Sequence, residues 1–409
     1  MNDRRVSISM AFAVLFAASA CAVGGQLETI EGELTACELV SFDGDLIKTK
    51  AALAAGPTSQ PIESVYRWGS PAEPGRRPMV HLAGGSRLVA APTWTLDGPI
   101  ELEGDRLTLR QMLLDDAELP RTVVRRIDFA AARDPAGYAE VIREAKVYRG
   151  GQDRAWLTSG DTLTGAVETI RGGRLSMRVG EQSVELPVDR VAVLKFASSE
   201  RAPTKAPSVK VGLADGGLLI AHAASSTAEG KIDAELTAGA SLTGVRPGAV
   251  TLVQPVSGRV TPLSSLSPLD YRHTPYFDLA WPFVKDANLF GGPLTSGGVR
   301  WLDGLAMHSA SRLVYRVPTG AKRLVGSVAL DDTSAAGDGG PGGSVVFRVL
   351  VARTGFEPAW QSPTVRTGDP PLPLSIDVTG AKAIALLVEH ADRGDTLDHA
   401  DWLGLRFVE

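Results

Sequence analysis

Residues 397–407 read LDHADWLGLRF, and this stretch decides how the end of the chain is interpreted. It sets two carboxylates, an imidazole and an indole within five residues, directly before an apolar run that predicts the last β-strand. This combination suits sugar recognition, in which carboxylates bind hydroxyls and an aromatic face stacks on the ring. It also suits a structural corner, in which Asp398 caps a turn and Trp402 lies in the core. Both interpretations stay open at this point.

Earlier stretches extend the pattern of this C-terminal region. Residues 297–318 contain a Gly-x-x-x-His-Ser segment, and an Asp pair closes a strand at 325–332. A Gly-Ser-Val-x-Phe strand lies within 342–351, and a further apolar strand within 377–388. On these motifs, residues 276–409 resemble the NPCBM family of carbohydrate-binding modules, which is associated with family 98 glycoside hydrolases. The resemblance implies a galactose-binding-like jelly-roll β-sandwich whose ligand is a polysaccharide or another glycan.

Five side chains of this region are candidates for sugar binding: Trp301, His308, Asp398, His399 and Trp402. Each has a structural alternative, because an imidazole can bond a neighbouring backbone and an indole is often a core residue. Exposure of at least two of the indoles Trp301, Trp360 and Trp402 on one surface would favour glycan binding. Burial of all three would favour a scaffold role.

Asp331 and Asp332 end a predicted strand and begin a Gly-rich loop. They either cap that loop or supply oxygen ligands to a structural Ca²⁺ of the kind that galactose-binding-type sandwiches often hold. No other cofactor is implied. The sequence has no His-Glu-x-x-His motif, no Gly-x-Ser-x-Gly elbow and no recognisable pair of glycosidase carboxylates, so it predicts a protein that is not an enzyme.

Residues 1–22 are typical of an export signal, with an apolar run over 8–20 that is short for a membrane span. Small residues precede Cys21 and resemble a bacterial lipobox, which would give the protein an N-terminal lipid anchor. Ordinary cleavage close to Cys21 is the alternative. No later stretch approaches the length of a transmembrane helix. The sequence thus predicts an exported bacterial protein of the periplasm, the outer envelope or the extracellular space.

Composition limits the remaining classes. The 409 residues are 44% hydrophobic, with 44 Gly and 26 Pro, and short alternating runs outnumber helical patterns, which predicts a mainly β protein. The formal net charge of −5 and the lack of a basic run argue against nucleic-acid binding. Two cysteines provide no disulfide framework, so the hydrophobic core must hold the fold.

Residues 27–271 repeat a loose pattern of short strands and glycine turns. Four units of this region are predicted: 28–68, 80–129, 155–196 and 209–271. Each resembles a small SH3-like or Sm-like β-barrel, and unrelated β-meanders are the alternative. If the repeats are real, Gly160 and Gly216 occupy equivalent turns. One helix is predicted at 135–146, with Tyr138, Val141 and Ile142 on one face.

Two functional classes follow from these features. The first is an exported, non-catalytic protein that binds a glycan through its C-terminal sandwich. The second is an envelope scaffold or protein-interaction module without a sugar ligand. A third, less favoured interpretation makes the chain an accessory part of a glycoside hydrolase system.

Overall fold

The computed structural model describes residues 25–75, 77–92, 98–129, 135–197, 205–275, 280–337 and 339–409. Strands dominate, which confirms the mainly β prediction, and two regions can be distinguished along the chain. The predicted export signal and Cys21 lie outside the described residues. Within these residues, no helix has the length and apolarity that a membrane crossing requires.

The first region consists of four units that share one antiparallel pairing scheme. In each unit, the first four strands pair in succession, and the last strand pairs with the first and not with the fourth. The second unit differs only in that its second strand is split into β7 and β8. The first unit contains β1 (Gly25–Thr29), β2 (Leu34–Phe42), β3 (Leu46–Lys50), β4 (Thr58–Pro61) and β5 (Val65–Gly69), and the second contains β6 (Met79–Leu82), β7 (Arg87–Val89), β8 (Ile100–Glu103), β9 (Arg106–Leu109), β10 (Ala117–Pro120) and β11 (Val124–Asp128). The third unit contains β12 (Asp153–Leu157), β13 (Thr162–Arg171), β14 (Arg174–Val179), β15 (Gln182–Pro187) and β16 (Val191–Lys195). The fourth unit contains β17 (Val209–Leu213), β18 (Leu218–Ser226), β19 (Lys231–Leu236), β20 (Ser241–Val245) and β21 (Val250–Pro255).

The turn between the first two strands is the same in all four units. Each holds a glycine with φ close to +90°, at Gly32, Gly85, Gly160 and Gly216. That backbone conformation is open to glycine and strained for other residues, so the sequence fixes the turn. In three units the glycine amide also donates to the carbonyl oxygen three residues earlier. The predicted equivalence of Gly160 and Gly216 is confirmed.

The units join through their edges and share one core. Strand β5 pairs with β21, and β11 pairs with β16, so the first unit adjoins the fourth and the second adjoins the third. Buried apolar residues from all four units form a continuous cluster. The common scheme excludes unrelated meanders. The last unit ends with β21 and not at Tyr271 as predicted, because the strands after Pro255 pair within the C-terminal region.

Helix α1 (Pro135–Val147) follows the second unit, close to the predicted bounds. Val141 and Ile142 pack against the buried Trp156 of the third unit. The side chain of Tyr138 lies outside the described residues. The helix thus covers one face of β16, beside the edge at which the second and third units meet.

The second region is a sandwich of two antiparallel sheets. One sheet has the order β24-β27-β35-β29-β33 with β22 beside β35, and the other has the order β23-β28-β34-β30-β31 with β32 beside β30. The strands are β22 (Val260–Pro262), β23 (Asp270–His273), β24 (Val284–Lys285), β25 (Leu294–Ser296), β26 (Val299–Trp301), β27 (Gly304–His308), β28 (Ser311–Arg316), β29 (Arg323–Leu330), β30 (Ser344–Ala352), β31 (Phe356–Gln361), β32 (Val365–Arg366), β33 (Leu372–Asp377), β34 (Ala383–His390) and β35 (His399–Val408). The predicted start at Tyr276 is too late, because β22 and β23 already pair with β35 and β28.

Buried polar groups connect the sandwich to the first unit. The fully buried Arg406 of β35 forms an ion pair with Glu28 at 2.9 Å and donates to the carbonyl oxygens of Thr29 and Ile30 at 2.9 and 3.2 Å. Its guanidinium also lies 3.7 Å from the ring centre of Tyr66. The two regions are therefore joined by specific contacts as well as by the chain.

Candidate functional site

Two histidines lie side by side at one end of the sandwich. His308 ends β27 and His399 begins β35, and the register of these strands places the two residues directly opposite each other. The indole of Trp281 stacks on His308 with ring centres 5.0 Å apart and planes 4° apart. Phe290 meets His399 edge-on at 5.0 Å, and His273 meets His308 edge-on at 5.8 Å. We call these five residues the aromatic–imidazole cluster.

Side chains of strand β23 hold the backbone of Trp281 in place. The backbone amide of Trp281 donates to Nδ1 of His273 at 3.0 Å, and its carbonyl oxygen accepts from the Tyr271 hydroxyl at 2.7 Å. Because Nδ1 of His273 accepts this bond, the proton of the neutral ring lies on Nε2. Both backbone groups of Trp281 are therefore fixed by side chains of one strand.

A second chain of hydrogen bonds orients His399. The Thr333 hydroxyl donates to Oδ1 of Asp331 at 2.6 Å, so it accepts from Nδ1 of His399 at 3.1 Å. Nε2 of His399 is then the unprotonated nitrogen of the neutral ring. Asp331 acts through Thr333 to fix the tautomer of an imidazole in the cluster.

The histidines of the cluster are neutral near pH 7. Burial lowers the pKa of His308 to about 4, and the neighbouring His399 adds to the effect. Burial likewise lowers the pKa of His399 and of His273. The negative charge of Asp395 partly offsets the effect of burial on His273 and His308. A neutral imidazole offers one donor and one acceptor, which is the pair of functions that a sugar hydroxyl uses.

The backbone is strained on both sides of the paired histidines. Ala310, two residues after His308, has φ of 57°, and Leu397, two residues before His399, has φ of 59°. Residues other than glycine seldom occupy this region, and such positions concentrate at binding and active sites. The fold thus maintains two costly turns at the place where the imidazoles converge.

The cluster presents a mixed surface to solvent. Phe290 is 54% exposed and Trp281 is half-buried, whereas His308 and His399 are buried beneath them. Aromatic rings therefore form the outer layer and hydrogen-bonding rings the inner layer. This order suits a ligand that has both apolar faces and hydroxyl groups.

Of the five predicted sugar contacts, only His308 and His399 belong to the cluster. Trp402 is fully buried and packs edge-on against Phe347 at 5.1 Å, so it is a core residue and not a stacking platform. Asp398 is also fully buried and accepts from the Ser344 amide at 2.9 Å. Burial raises the pKa of Asp398 to about 6. Both side chains therefore lie inside the fold: Trp402 points from β35 into the core, and Asp398 bonds the first residue of β30.

The remaining predicted indoles do not form a platform either. Trp301 is buried beneath the guanidinium of Arg67, which lies 3.4 Å from its ring centre. Trp360 is half-buried on β31, at the far edge of the other sheet. By the criterion set from the sequence, these indoles do not favour a sugar site. Trp281, Phe290 and His273 were not predicted from the sequence, in which the Trp-Pro-Phe stretch at 281–283 was the available signal.

Asp331 and Asp332 are occupied by hydrogen bonds. Asp331 accepts from the backbone amides of Thr295 and Thr333, each at 3.0 Å, and Asp332 accepts from the amides of Gly297 and Gly298 at 2.8 and 3.0 Å. They pin the β25–β26 hairpin beside the cluster. No group of three or more His, Cys, Asp or Glu side chains among the described residues is arranged to hold a metal. Calcium binding stays a prediction that melting with and without Ca²⁺ would test.

Near these carboxylates lies Asp401, which is buried and has no donor among the described residues for either carboxyl oxygen. Burial raises its pKa well above the usual range, and the adjacent charge of Asp331 raises it further. A protonated Asp401 can donate to its neighbour. Asp331 and Asp401 therefore lie beneath the aromatic–imidazole cluster and not on its exposed surface.

Residues 259–408 match the family model of the NPCBM/NEW2 domain, which is a non-catalytic binding module. The motifs that predicted this domain therefore identified it correctly. A comparison with curated proteins gives no match.

Several solved structures are similar to the chain. The CBM51-2 and INT domains of ZmpB from Clostridium perfringens, in complex with GlcNAc, are 23% identical over 44% of this chain and 36% of that one, with a TM-score of 0.32. The CBM51 of a Clostridium perfringens GH95, in complex with methyl-galactose, is 18% identical over 36% and 99%, with a TM-score of 0.32. The tandem CBM51 modules of Sp3GH98 from Streptococcus pneumoniae are 12% identical over 76% and 88%, with a TM-score of 0.32. The chain spans 36% and 38% of the first two chains that it matches.

Proposed function

We propose that the NPCBM/NEW2 domain formed by residues 259–408 binds a glycan at the aromatic–imidazole cluster. The observation that carries the proposal is the layered arrangement of exposed Phe290 and half-buried Trp281 above the neutral imidazoles of His308 and His399. Aromatic rings stack on the C–H face of a sugar, and neutral imidazoles hydrogen-bond its hydroxyls, with His399 as an acceptor through its unprotonated Nε2.

The fixed geometry of the cluster supports a binding role over a catalytic one. Trp281 is held by two backbone hydrogen bonds, and His399 is held by Thr333. Rigid positioning before the ligand arrives reduces the entropy cost of binding. The site thus resembles a preformed surface for a neutral sugar.

In this proposal the repeat region is the scaffold to which the sandwich domain is attached. The buried contacts of Arg406 fix the sandwich to the first unit, so the cluster keeps one orientation relative to the repeats. In this proposal the protein is exported, as the pattern of residues 1–22 predicts, and meets its glycan in the envelope or outside the cell.

A glycan array with the full chain tests the proposal, followed by titration of any sugar that binds. Phe290→Ala should weaken binding roughly 2- to 13-fold, which corresponds to the loss of one aromatic contact. Phe356→Ala is the matched control, because Phe356 is 49% exposed and lies on β31, away from the cluster. Its affinity should equal that of the wild type.

Two results would contradict the proposal. If the array gives no sugar ligand, the sandwich is better explained as a protein-interaction module of an envelope scaffold. If Phe290→Ala and Phe356→Ala bind a sugar equally well, the ligand occupies another surface.

A further inference from the structure

A cavity of about 690 Å³ opens where the second unit, the third unit, helix α1 and the sandwich meet. Positively charged side chains far outnumber carboxylates among the described residues that line it. The cations that line it are Arg77, Arg87, Arg125, Arg126, Lys146 and Lys195. Among the described residues of the lining, Asp128 is the only carboxylate. A local excess of five positive charges is unexpected in a chain whose formal net charge is −5.

The single carboxylate is already engaged. Asp128 forms an ion pair with Nε of Arg126 at 2.7 Å and bonds Nε2 of His81 at 2.8 Å. Arg125 and Lys146 have no ion pair within the described part of the chain, and both are exposed to the cavity. Among the described residues, these two cations of the cavity are therefore not neutralised by an ion pair.

A β-bulge turns two neighbouring arginines toward the cavity. Regular alternation along β11 would send Arg125 and Arg126 to opposite faces of the sheet. The register between β11 and β6 shifts between Val124 and Arg126, and both arginines line the cavity. Bulges often occur at binding sites, where they redirect a side chain.

The cations also repel one another. Burial lowers the pKa of Arg87, and the charge of Arg300 lowers it further. Burial lowers the pKa of Lys146 as well, with an added effect from Arg126. A cluster of like charges destabilises the fold, and a bound anion would reduce this cost.

We propose that this cavity binds a small polyanion that carries sulfate, phosphate or carboxylate groups. The planar fork of a guanidinium matches the spacing of oxygens in all three groups, and bonds between charged partners are the strong ones. The volume is large enough for a molecule of one or a few rings. The site is distinct from the aromatic–imidazole cluster and does not depend on the function proposed for it.

The two sites are nevertheless neighbours through one loop. The loop that follows β24 supplies Phe290 to the cluster and Pro293 to the lining of the cavity. A charged saccharide is therefore one natural carrier of the anionic groups, and a free inorganic anion is the other. The experiment is designed to separate these sources.

Calorimetric titration of the full chain tests the site with three probes: inorganic phosphate, a sulfated disaccharide and trigalacturonate. The variant Arg125→Ser/Lys146→Ser removes two unpaired cations from the cavity. The matched control Lys50→Ser/Arg171→Ser removes two exposed cations that have no ion pair within the described residues and lie outside the cavity. All four positions are exposed, so thermal melting should be almost unchanged in both variants.

The wild type and the control should bind at least one probe with the same Kd, and binding should weaken as salt is added. The cavity variant should bind at least about tenfold more weakly, as expected for two lost charge-assisted bonds. Tighter binding of a saccharide than of phosphate would identify a carbohydrate-borne anion, and equal binding would identify a site for the free anion. Failure of the wild type to bind any probe, or equal affinity of both variants, would overturn the proposal.

Discussion

Replacement of Arg406 by alanine should uncouple the sandwich from the first repeat unit. The side chain is fully buried, and its removal breaks the 2.9 Å ion pair with Glu28 and leaves the carbonyl oxygens of Thr29 and Ile30 without their donor. Loss of one partner of a buried ion pair typically costs about 3–5 kcal/mol. Glu28 keeps a second partner, Arg67 at 3.0 Å, so we expect a loss near the lower end, about 3 kcal/mol.

Urea denaturation of the full chain gives the change in the free energy of unfolding, and calorimetry shows whether the two regions still melt together. The wild type should give coupled melting, and Arg406→Ala should separate the transitions of the sandwich and the repeats. Arg312→Ala is the control, because Arg312 forms a half-exposed ion pair with Asp270 at 2.6 Å. Its loss should stay below about 1 kcal/mol.

A loss of stability in Arg406→Ala no larger than in the control would contradict this prediction. A less stable variant whose two regions still melt as one would contradict it as well. In the first case the buried ion pair contributes no more than a surface pair. In the second case other contacts, such as Asp303 with Lys210 at 2.8 Å, hold the regions together.

Three further predictions concern the sandwich. Trp402→Ala should lower the free energy of unfolding by about 3–5 kcal/mol, measured by thermal or urea denaturation. Phe356→Ala should change it little, and similar losses in the two variants would show that Trp402 is not a core residue. The fragment 259–409 should show a cooperative melting transition with a β-rich circular dichroism spectrum. The fragment 276–409 lacks β22 and β23 and should not show this transition. Equal melting of the two fragments would show that the sandwich does not need these strands. Because the pKa of Asp398 is about 6 in the folded protein and near 4 in the unfolded chain, its contribution to stability is lost as the pH rises from about 4 to about 6. The fall in stability over this range should therefore be smaller in Asp398→Asn than in the wild type, in which the buried Asp401 adds to it. Parallel pH profiles of melting would contradict the shift.

The repeats were predictable because residues close together in the sequence determine their turns and strands. A glycine with positive φ recurs after the first strand of every unit, and alternating apolar residues follow it, so spacing alone indicates the scheme. The start of the sandwich was not predictable in this way. Strand β22 has three residues, one of them proline, and such a segment carries no alternation that could distinguish it from a loop.

The candidate site was predictable in part for a similar reason. His308 and His399 lie in family motifs, but their meeting with Trp281 and Phe290 depends on strand register and on a loop without periodicity. Proximity in the sequence was misleading for Trp402, because alternation along β35 sends it into the core. Arg406 gives no signal at all in an apolar strand, since its partner Glu28 lies far away along the chain.

The distance between Arg406 and its partners has a consequence for how the protein is made. The bond from Arg406 to the carbonyl oxygen of Thr29 spans 377 positions of sequence. At about 5–20 residues per second, roughly 20–75 s separate the synthesis of Thr29 from that of Arg406. During that interval Glu28 lacks one of its two cationic partners. These contacts between the sandwich and the first unit thus form only after β35 has been synthesised, and a nascent chain truncated before β35 would leave the carbonyl oxygens of Thr29 and Ile30 without the donor that Arg406 supplies.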